Sequence, residues 1–172
     1  MKIFHDVISD DLRQRCLDYV KNEKKNSSWI IYKYHWPEEI GAGVIGNNYG
    51  TPIPVDLFFE IVQSVSKVFP EITETKHVPE HCLFYVWSKL SSINWHDDGH
   101  WDYGLTIYLN ETWEDWQGGF FLWKDENGEM RGIEPQKNMM VLNDEAEEHM
   151  VTVISPYTPE DRISIQMFLS KA

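Results

Sequence analysis

The sequence predicts an all-β core with flanking helices, arranged as an antiparallel β-sandwich or jelly roll that two N-terminal helices buttress. Two observations carry this prediction. Apolar residues recur at helical spacing in two stretches of the first 75 residues, whereas short runs rich in β-branched and aromatic residues follow one another from residue 78 onward. No long helical pattern separates those runs, which favours antiparallel strands over a parallel α/β sheet.

Both predicted helices begin at a recognisable signal. Ser9 and the acidic pair after it precede apolar residues at helical spacing, so we expect a first helix that runs to about residue 22. Pro54 stands where a helix can start, and the apolar periodicity continues from there until Pro70. We therefore assign the helical support to residues 1–75.

The strands are predicted from short β-rich runs between turn signals. One run, 29–36, lies between the helices, and Asn127-Gly128 is a strong hairpin signal between two of the later runs. We expect one domain over residues 1–172, with its jelly-roll core at 78–170. The later runs cover residues 81–87, 104–110, 119–124, 130–133, 139–142, 150–154 and 162–169.

Residues 38–54 hold four glycines, two asparagines and two prolines and show no sustained period. This composition predicts a loop, and its length is more typical of a functional loop than of an ordinary connection. A lid over a binding site and a segment that lies on the surface are both compatible with the sequence.

The charge balance restricts the partners and the setting of the protein. A total of 28 acidic residues against 15 lysines and arginines gives a formal net charge of −13, which repels a phosphate backbone, so no nucleic-acid partner is expected. No apolar run is long enough for a membrane span or a secretion signal. We expect a cytoplasmic protein without disulfides, in which Cys16 and Cys82 are small buried apolar residues.

Three residues form a candidate metal centre. In an extended segment residues i and i+2 point to the same side, so His96 and Asp98 can reach one ion while Asp97 points away. His149, just before a predicted strand, can supply a third ligand. Two histidines and one carboxylate make the facial triad of non-haem iron, which leaves coordination positions open for an organic chelate and dioxygen.

Arg162 adds a second element to this site. Alternation along the last predicted strand turns Arg162, Ser164 and Gln166 to one face. An arginine that faces the interior of a sandwich requires an anionic partner, because an unpaired buried charge is very costly. The planar guanidinium suits a carboxylate.

With these motifs the chain resembles the prolyl-4-hydroxylase-like branch of the 2-oxoglutarate/Fe(II)-dependent oxygenase superfamily. The resemblance covers about residues 83–169, and its motifs follow one another in the order of that family. It implies a double-stranded β-helix, that is, a jelly roll backed by N-terminal helices. The matching residues are His96-x-Asp98, Thr106-Ile107-Tyr108-Leu109-Asn110, Trp113, Gly118-Gly119-Phe120, His149 and Arg162-x-Ser164.

Carried over residue by residue, the resemblance implies that His96, Asp98 and His149 bind Fe(II). It implies that Arg162, with Tyr108 and Ser164, binds the far carboxylate of the cosubstrate 2-oxoglutarate, with O2 as the second cosubstrate and ascorbate as a possible reductant. The family tends to have a tyrosine and a glycine where this chain has Trp87 and Leu90. Tyr85 shares the face of Trp87 and is a candidate to supply the missing hydrogen bond to the cosubstrate.

The implied activity is hydroxylation of an unactivated C–H bond, with a peptidyl proline as the leading substrate. A free amino acid or another small molecule is the alternative substrate. The nucleic-acid demethylases of the superfamily carry a pair of arginines near the end, whereas no arginine follows Arg162 here. A catalytically silent binding module and a cupin-like metal protein that performs no oxidation are the competing functions.

Other side chains near the candidate metal centre compete for roles. His100 and Asp102 form a second His-x-Asp, although they more naturally belong to a loop at the rim of the site. Trp95, Trp101 and His100 are candidate substrate-contacting residues of that rim.

Overall fold

The computed structural model describes residues 1–25, 30–31, 43–99, 101–144 and 147–172. These residues form a mostly β structure with antiparallel sheets and helices in the N-terminal half. The helices are α1 (Asp10–Lys25), α2 (Val55–Val68) and the short α3 (Glu71–Glu74). None of the helices in these ranges combines the length and the apolar character needed to cross a membrane.

The first helix begins where the sequence predicts, because the backbone N–H of Leu12 donates a 3.2 Å hydrogen bond to Ser9 Oγ. It continues three residues past its predicted end, to Lys25. The second helix follows Pro54, as predicted, and buries Leu57, Ile61 and Val65 on one face.

Twelve strands are present in the described residues. The long strands β5 and β12 pair over most of their length and form the centre of the larger sheet. The bounds are β1 Lys2–Phe4, β2 Ile30–Ile31, β3 Val44–Ile45, β4 Asn48–Pro52, β5 His77–Trp87, β6 Ser92–His96, β7 Tyr103–Tyr108, β8 Phe121–Lys124, β9 Met130–Ile133, β10 Met140–Asp144, β11 His149–Val151 and β12 Arg162–Lys171.

The strands build two antiparallel sheets. One has seven strands in the order β1-β10-β7-β12-β5-β4-β2, and the other has five in the order β3-β6-β11-β8-β9. Gly128 has a φ of +76° in the turn between β8 and β9, so the predicted Asn127-Gly128 hairpin is confirmed.

The apolar core consists of two clusters on opposite faces of the seven-stranded sheet. On one face, side chains of α1 and α2 pack with those of β5, β7 and β12, including Phe84, Ile107 and Ile165. The second cluster contains Tyr85, Trp87 and Tyr108 from that sheet, with residues of the smaller sheet. Alternation along each strand thus gives one face to the helices and the other to the polar site.

The structure corrects several predictions for individual segments. The segment 38–54 is not wholly irregular, since its described part, 43–54, contains β3 and β4. The strand β6 was not predicted, because polar and aromatic residues obscure its alternation. Of the predicted strand 29–36, only Ile30–Ile31 lies within the described residues, and it is extended. Residues 38–42 also lie outside the described residues, so a lid formed by this part of the segment stays a prediction.

A charged cluster ties α1 to the end of β7. Arg13 is buried, and its Nη1 donates a 2.8 Å hydrogen bond to the carbonyl oxygen of Leu109. The same guanidinium contacts Asp10 and Glu111, and Lys137 bridges these two carboxylates from outside. Lys137 holds the pKa of Glu111 below its usual range, and Arg13 does so for Asp10.

This cluster predicts how stability depends on pH. A carboxylate with a lowered pKa stabilises the fold above its unfolded pKa of about 4, and this contribution is lost as the pH falls through its folded pKa. We expect Glu111→Gln to lower the melting temperature at pH 7 by a few degrees and to have a smaller effect once the pH falls below the folded pKa of Glu111, because the protonated carboxyl group no longer pairs with Arg13 and Lys137. Thermal unfolding across this pH range measures the difference.

The matched control is Glu126→Gln, since Glu126 is exposed on the turn between β8 and β9. Its substitution is expected to leave the melting temperature unchanged at both pH values. Equal melting temperatures of Glu111→Gln and the unsubstituted protein at pH 7 would contradict a stabilising role of the cluster.

Candidate active site

Strand pairing in the smaller sheet brings the two candidate histidine ligands together. His96 is the last residue of β6, His149 is the first of β11, and the two are directly paired across these antiparallel strands. Direct partners project to the same face of a sheet, so both imidazoles point to one side. Their ring centroids lie 4.3 Å apart.

Asp98 completes the predicted triad. Its Oδ2 lies 3.5 Å from His149 Nε2, and its Oδ1 lies 3.9 Å from His96 Nε2. One ligand atom from each of the three residues falls within 4.8 Å of the others. The structure thus brings together the three residues that the sequence selected, in a spacing that suits a single ion.

Both imidazoles are oriented by the main chain. His96 Nδ1 lies 2.8 Å from the carbonyl oxygen of Asn94, and His149 Nδ1 lies 2.8 Å from that of Glu147. A carbonyl only accepts hydrogen bonds, so each Nδ1 carries the proton and each Nε2 keeps its lone pair for a metal. Burial, together with the nearby His149, also lowers the pKa of His96, which favours the neutral ligand form.

Asn143 orients Asp98 and Gly104 leaves room for it, and neither role was predicted from the sequence. Asn143, on β10, donates a 2.9 Å hydrogen bond from Nδ2 to Asp98 Oδ2, and both side chains are buried. Gly104 leaves room for this pair, since a Cβ there would lie 2.7 Å from Asp98 Oδ2. An asparagine near the end of a strand carries no local signal, so only the tertiary structure reveals this contact.

The triad opens into a cavity of about 50 Å³ between the two sheets. Phe121 stacks against the His149 ring at a centroid distance of 5.0 Å and an angle of 12°, which restricts rotation of that ligand. The remaining lining is mostly apolar on the smaller sheet and mixed on the larger one. It comprises Tyr85, Trp87, Ile93, Trp101, Thr106, Asn143, Val151, Arg162, Gln166 and Phe168.

Arg162 lies in this cavity with 2% of its surface exposed. Its Nη1 donates a 2.9 Å hydrogen bond to the carbonyl oxygen of Gly119, and its Nε has no partner. The guanidinium carbon lies 5.3 Å from the ring centroid of Trp87 and 5.4 Å from that of Tyr108. Within the described ranges no carboxylate lies within 4 Å of it, and burial lowers its pKa.

Two hydroxyl groups on the same face also lack partners. Tyr108 and Ser164 are directly paired on β7 and β12, and both Tyr108 Oη and Ser164 Oγ are buried without a hydrogen-bond partner. Tyr85 is paired with Ser164 from the other side and lines the cavity. Unpartnered hydroxyls beside an unneutralised guanidinium fit an anionic ligand with several acceptor oxygens, such as a carboxylate.

The predicted rim residues have different positions. Trp101 lines the cavity, stacks on Phe168 at 4.2 Å and donates from Nε1 to Glu80 at 3.2 Å. Trp95 is 37% exposed, and its ring lies 5.0 Å from Lys124 Nζ. His100 lies outside the described residues. Asp102 accepts a hydrogen bond from the backbone N–H of Lys171 and is not grouped with the triad.

The contact between Asn143 and Asp98 predicts an effect on metal affinity. Asn143→Leu removes the hydrogen bond that orients the carboxylate but preserves side-chain volume. We expect the dissociation constant for Fe(II) or Mn(II) to rise about 10- to 100-fold, as for other residues that orient metal ligands. Anaerobic metal titration followed by calorimetry measures the change.

The control is Asn94→Ala, because Asn94 contacts His96 through its main-chain oxygen and its side chain is exposed. This variant is expected to bind the metal as the unsubstituted protein does. Unchanged affinity in Asn143→Leu would show that Asp98 is oriented by other contacts.

The fold resembles three solved hydroxylases at low sequence identity. A Pseudomonas putida prolyl-4-hydroxylase superposes with a TM-score of 0.77 and 15% identity, over 99% of this chain and 92% of the other. A Trichoplax adhaerens prolyl hydroxylase, in complex with a hypoxia inducible factor peptide fragment, gives 0.79 and 12% over 99% and 83%. A viral collagen prolyl hydroxylase from Paramecium Bursaria Chlorella virus-1, in a 2-oxoglutarate complex, gives 0.68 and 14% over 98% and 95%.

Sequence comparison supports the assignment independently of the fold. No curated protein matches the chain significantly. The model of the 2OG-Fe(II) oxygenase superfamily, however, matches residues 81–170, which contain all three triad residues and Arg162. Because this match covers more than half of the 172 residues and confirms the prediction from the motifs, the chain belongs to the 2OG-Fe(II) oxygenase superfamily.

Proposed function

We propose that this protein is an Fe(II)- and 2-oxoglutarate-dependent hydroxylase whose iron is held by His96, Asp98 and His149. One observation carries the proposal: the buried Arg162 has no acidic partner in the described part of the chain and faces the same cavity as the triad. A metal site alone fits many proteins. A metal site beside a guanidinium without an acidic partner in the described residues fits a dicarboxylate cosubstrate, which can chelate the metal at one end and bind the guanidinium at the other.

The residues present fit these groups. Both histidines can offer Nε2 to the metal because each Nδ1 donates to a main-chain carbonyl, and Arg162, Tyr108 and Ser164 offer donors to the far carboxylate of 2-oxoglutarate. When bound, the iron and its cosubstrate couple the oxidative decarboxylation of 2-oxoglutarate by O2 to hydroxylation of a C–H bond, with succinate and CO2 as by-products.

The chain itself supplies orientation and exclusion of water. Asn143 holds Asp98, Phe121 restrains His149, and the carbonyl of Gly119 holds Arg162. Each contact fixes a binding group before the cosubstrate arrives, so little ordering remains to be done during the reaction. The apolar lining excludes solvent from the reacting centre.

For the substrate we propose a peptidyl proline. Trp101 and Phe168 form a stacked aromatic wall in the cavity that the triad lines, and an apolar five-membered ring packs well on such a surface. The similarity of the fold to prolyl hydroxylases, one of them in complex with a peptide, supports the same choice. A free amino acid or another small molecule is the alternative, and the two differ in whether residues flanking the oxidised one contribute to affinity.

The cosubstrate class predicts a spectroscopic result. Anaerobic addition of Fe(II) and 2-oxoglutarate to the purified protein should give a visible charge-transfer band from the chelate. We expect His149→Ala to abolish the band and Arg162→Leu to raise the dissociation constant of 2-oxoglutarate about 100-fold or more, because the charged contact with the far carboxylate is lost.

Arg131→Leu is the control, since Arg131 is exposed and paired with Asp125 and Glu129. It should leave the band unchanged. A protein that binds the metal but gives no band would contradict the proposed cosubstrate and favour a cupin-like metal protein that performs no oxidation.

The aromatic wall predicts a kinetic result. Trp101→Ala should raise the KM for a prolyl peptide about tenfold or more, as expected for a truncated aromatic contact residue, and leave 2-oxoglutarate affinity unchanged. Steady-state hydroxylation assays with a proline-containing peptide measure KM and kcat separately. Trp116→Ala, on an exposed tryptophan of the turn Asp115–Gln117, is the control. An unchanged KM in Trp101→Ala would exclude Trp101 from the substrate site.

A further inference from the structure

The described chain contains five buried side-chain polar atoms without a hydrogen-bond partner, and they belong to only four residues. Three of these residues, Tyr108, Arg162 and Ser164, are those to which the proposed function assigns the far carboxylate of 2-oxoglutarate. The fourth is Asn48, whose Nδ2 and Oδ1 are both unpartnered although the residue is fully buried. Neither the metal centre nor the substrate wall includes Asn48.

Asn48 lies in the same cross-strand row as Arg162. Trp87 on β5 is directly paired with Arg162 on β12 from one side and with Asn48 on β4 from the other. Direct partners share a face, so Asn48 points toward the side of the sheet that carries the site. Adjacent strands are about 4.8 Å apart, which puts the backbones of Asn48 and Arg162 about 10 Å from each other.

The neighbouring row contains the other two residues. Tyr108, Ser164 and Tyr85 are paired across β7, β12 and β5, and Ser164 is two residues from Arg162 on the same strand. All four residues with unpartnered atoms therefore occupy two adjacent rows on one face of the larger sheet. Such clustering indicates a common partner rather than four unrelated defects in packing.

The backbone before Asn48 is held tightly. The carbonyl oxygen of Asn47 accepts hydrogen bonds from the backbone N–H of Ser88 at 3.1 Å and from Ser91 Oγ at 2.7 Å. Gly46 has a φ of +74°, and a Cβ there would lie 2.8 Å from the carbonyl oxygen of Leu90. The turn into β4 is thus locked against the end of β5, which fixes the position from which Asn48 projects.

A buried amide with two unsatisfied atoms is unfavourable, and an apolar residue of the same volume would avoid that cost. Because the described residues supply no partner for these two atoms, a bound molecule is the candidate partner of Asn48. A neutral amide can donate to a carboxylate and accept from a water without adding a charge that would repel the anion.

We propose that Asn48 is an additional binding residue of the cosubstrate chamber. Its Nδ2 donates a hydrogen bond to the far carboxylate of 2-oxoglutarate, either directly or through one ordered water. In the second case Oδ1 accepts a hydrogen bond from that water. This assignment rests on the proposed function. It extends the chamber across Trp87 from β12 to β4 and makes Asn48 a determinant of cosubstrate affinity, while the metal affinity is set by the triad.

The test compares Asn48→Leu with Thr51→Val. Thr51 is also buried on β4, but it is three residues from Asn48 and so lies on the opposite face of the strand. Dissociation constants for Fe(II) and then for 2-oxoglutarate are measured anaerobically on each protein. We expect Asn48→Leu to weaken 2-oxoglutarate about tenfold, the loss of one hydrogen bond to a charged group, with unchanged Fe(II) binding. Thr51→Val should change neither constant.

An unchanged 2-oxoglutarate affinity in a folded Asn48→Leu protein would overturn the proposal, because neither a direct nor a water-mediated contact of Asn48 would then contribute to cosubstrate binding. If this variant does not fold, the unsubstituted protein loaded with Zn(II) decides the question. The side-chain amide resonances of Asn48 in a ¹⁵N spectrum should shift on addition of 2-oxoglutarate, and unmoved resonances would overturn the proposal.

The binding measurements distinguish a failure of the proposed function from a failure of the assignment of Asn48. If the unsubstituted protein binds the metal but not 2-oxoglutarate, the proposed function fails and the assignment of Asn48 falls with it. If the unsubstituted protein and Asn48→Leu bind 2-oxoglutarate equally, only the assignment of Asn48 is wrong.

Discussion

A guanidinium group buried without an acidic partner in the described residues is the constraint on which the rest of this site depends. Arg162 keeps one hydrogen bond, to the carbonyl of Gly119, and lies between the rings of Trp87 and Tyr108. These contacts orient the group but do not neutralise it, and burial lowers its pKa. The fold therefore contains a buried positive charge that a bound dicarboxylate can neutralise.

The two sheets place the guanidinium of Arg162 and the metal triad in one cavity. Pairing of β6 with β11 sets His96 opposite His149, and pairing of β12 with β5 and β7 sets Arg162 and Ser164 opposite aromatic partners. Because successive side chains of a strand point to opposite faces, a shift of one residue at the His96–His149 or Arg162–Trp87 pair would turn these side chains away from the cavity. The helices contribute by covering the opposite face of the larger sheet, where the apolar cluster fixes the register.

Features with a local period or a local motif could be predicted from the sequence. Both long helices, the hairpin at Asn127-Gly128 and the juxtaposition of His96, Asp98 and His149 agree with the structure. The triad was accessible because His-x-Asp encodes its own geometry in an extended segment, and the resemblance to a known family supplied the order of the remaining motifs. That these residues bind iron and 2-oxoglutarate stays a prediction.

Features that depend on distant contacts could not be predicted. Asn143 orients Asp98 across 45 positions of sequence, and Asn48 reaches the site face only through the pairing of β4 with β5. Strands β4 and β6 are stabilised by their neighbours rather than by their own alternation, so their composition resembles that of loops. The register of strand pairing decides which residues such side chains contact, and a single sequence does not specify that register.

The most direct test of the central claim compares two chelating ligands on the metal-loaded protein. 2-Oxoglutarate and 2-oxobutyrate share the keto acid that binds the metal, but only the former has the far carboxylate. If Arg162 is the partner of that carboxylate, 2-oxobutyrate should bind about 100-fold more weakly or worse, and Arg162→Leu should remove most of the difference. Equal affinities of the unsubstituted protein for the two ligands would contradict the account.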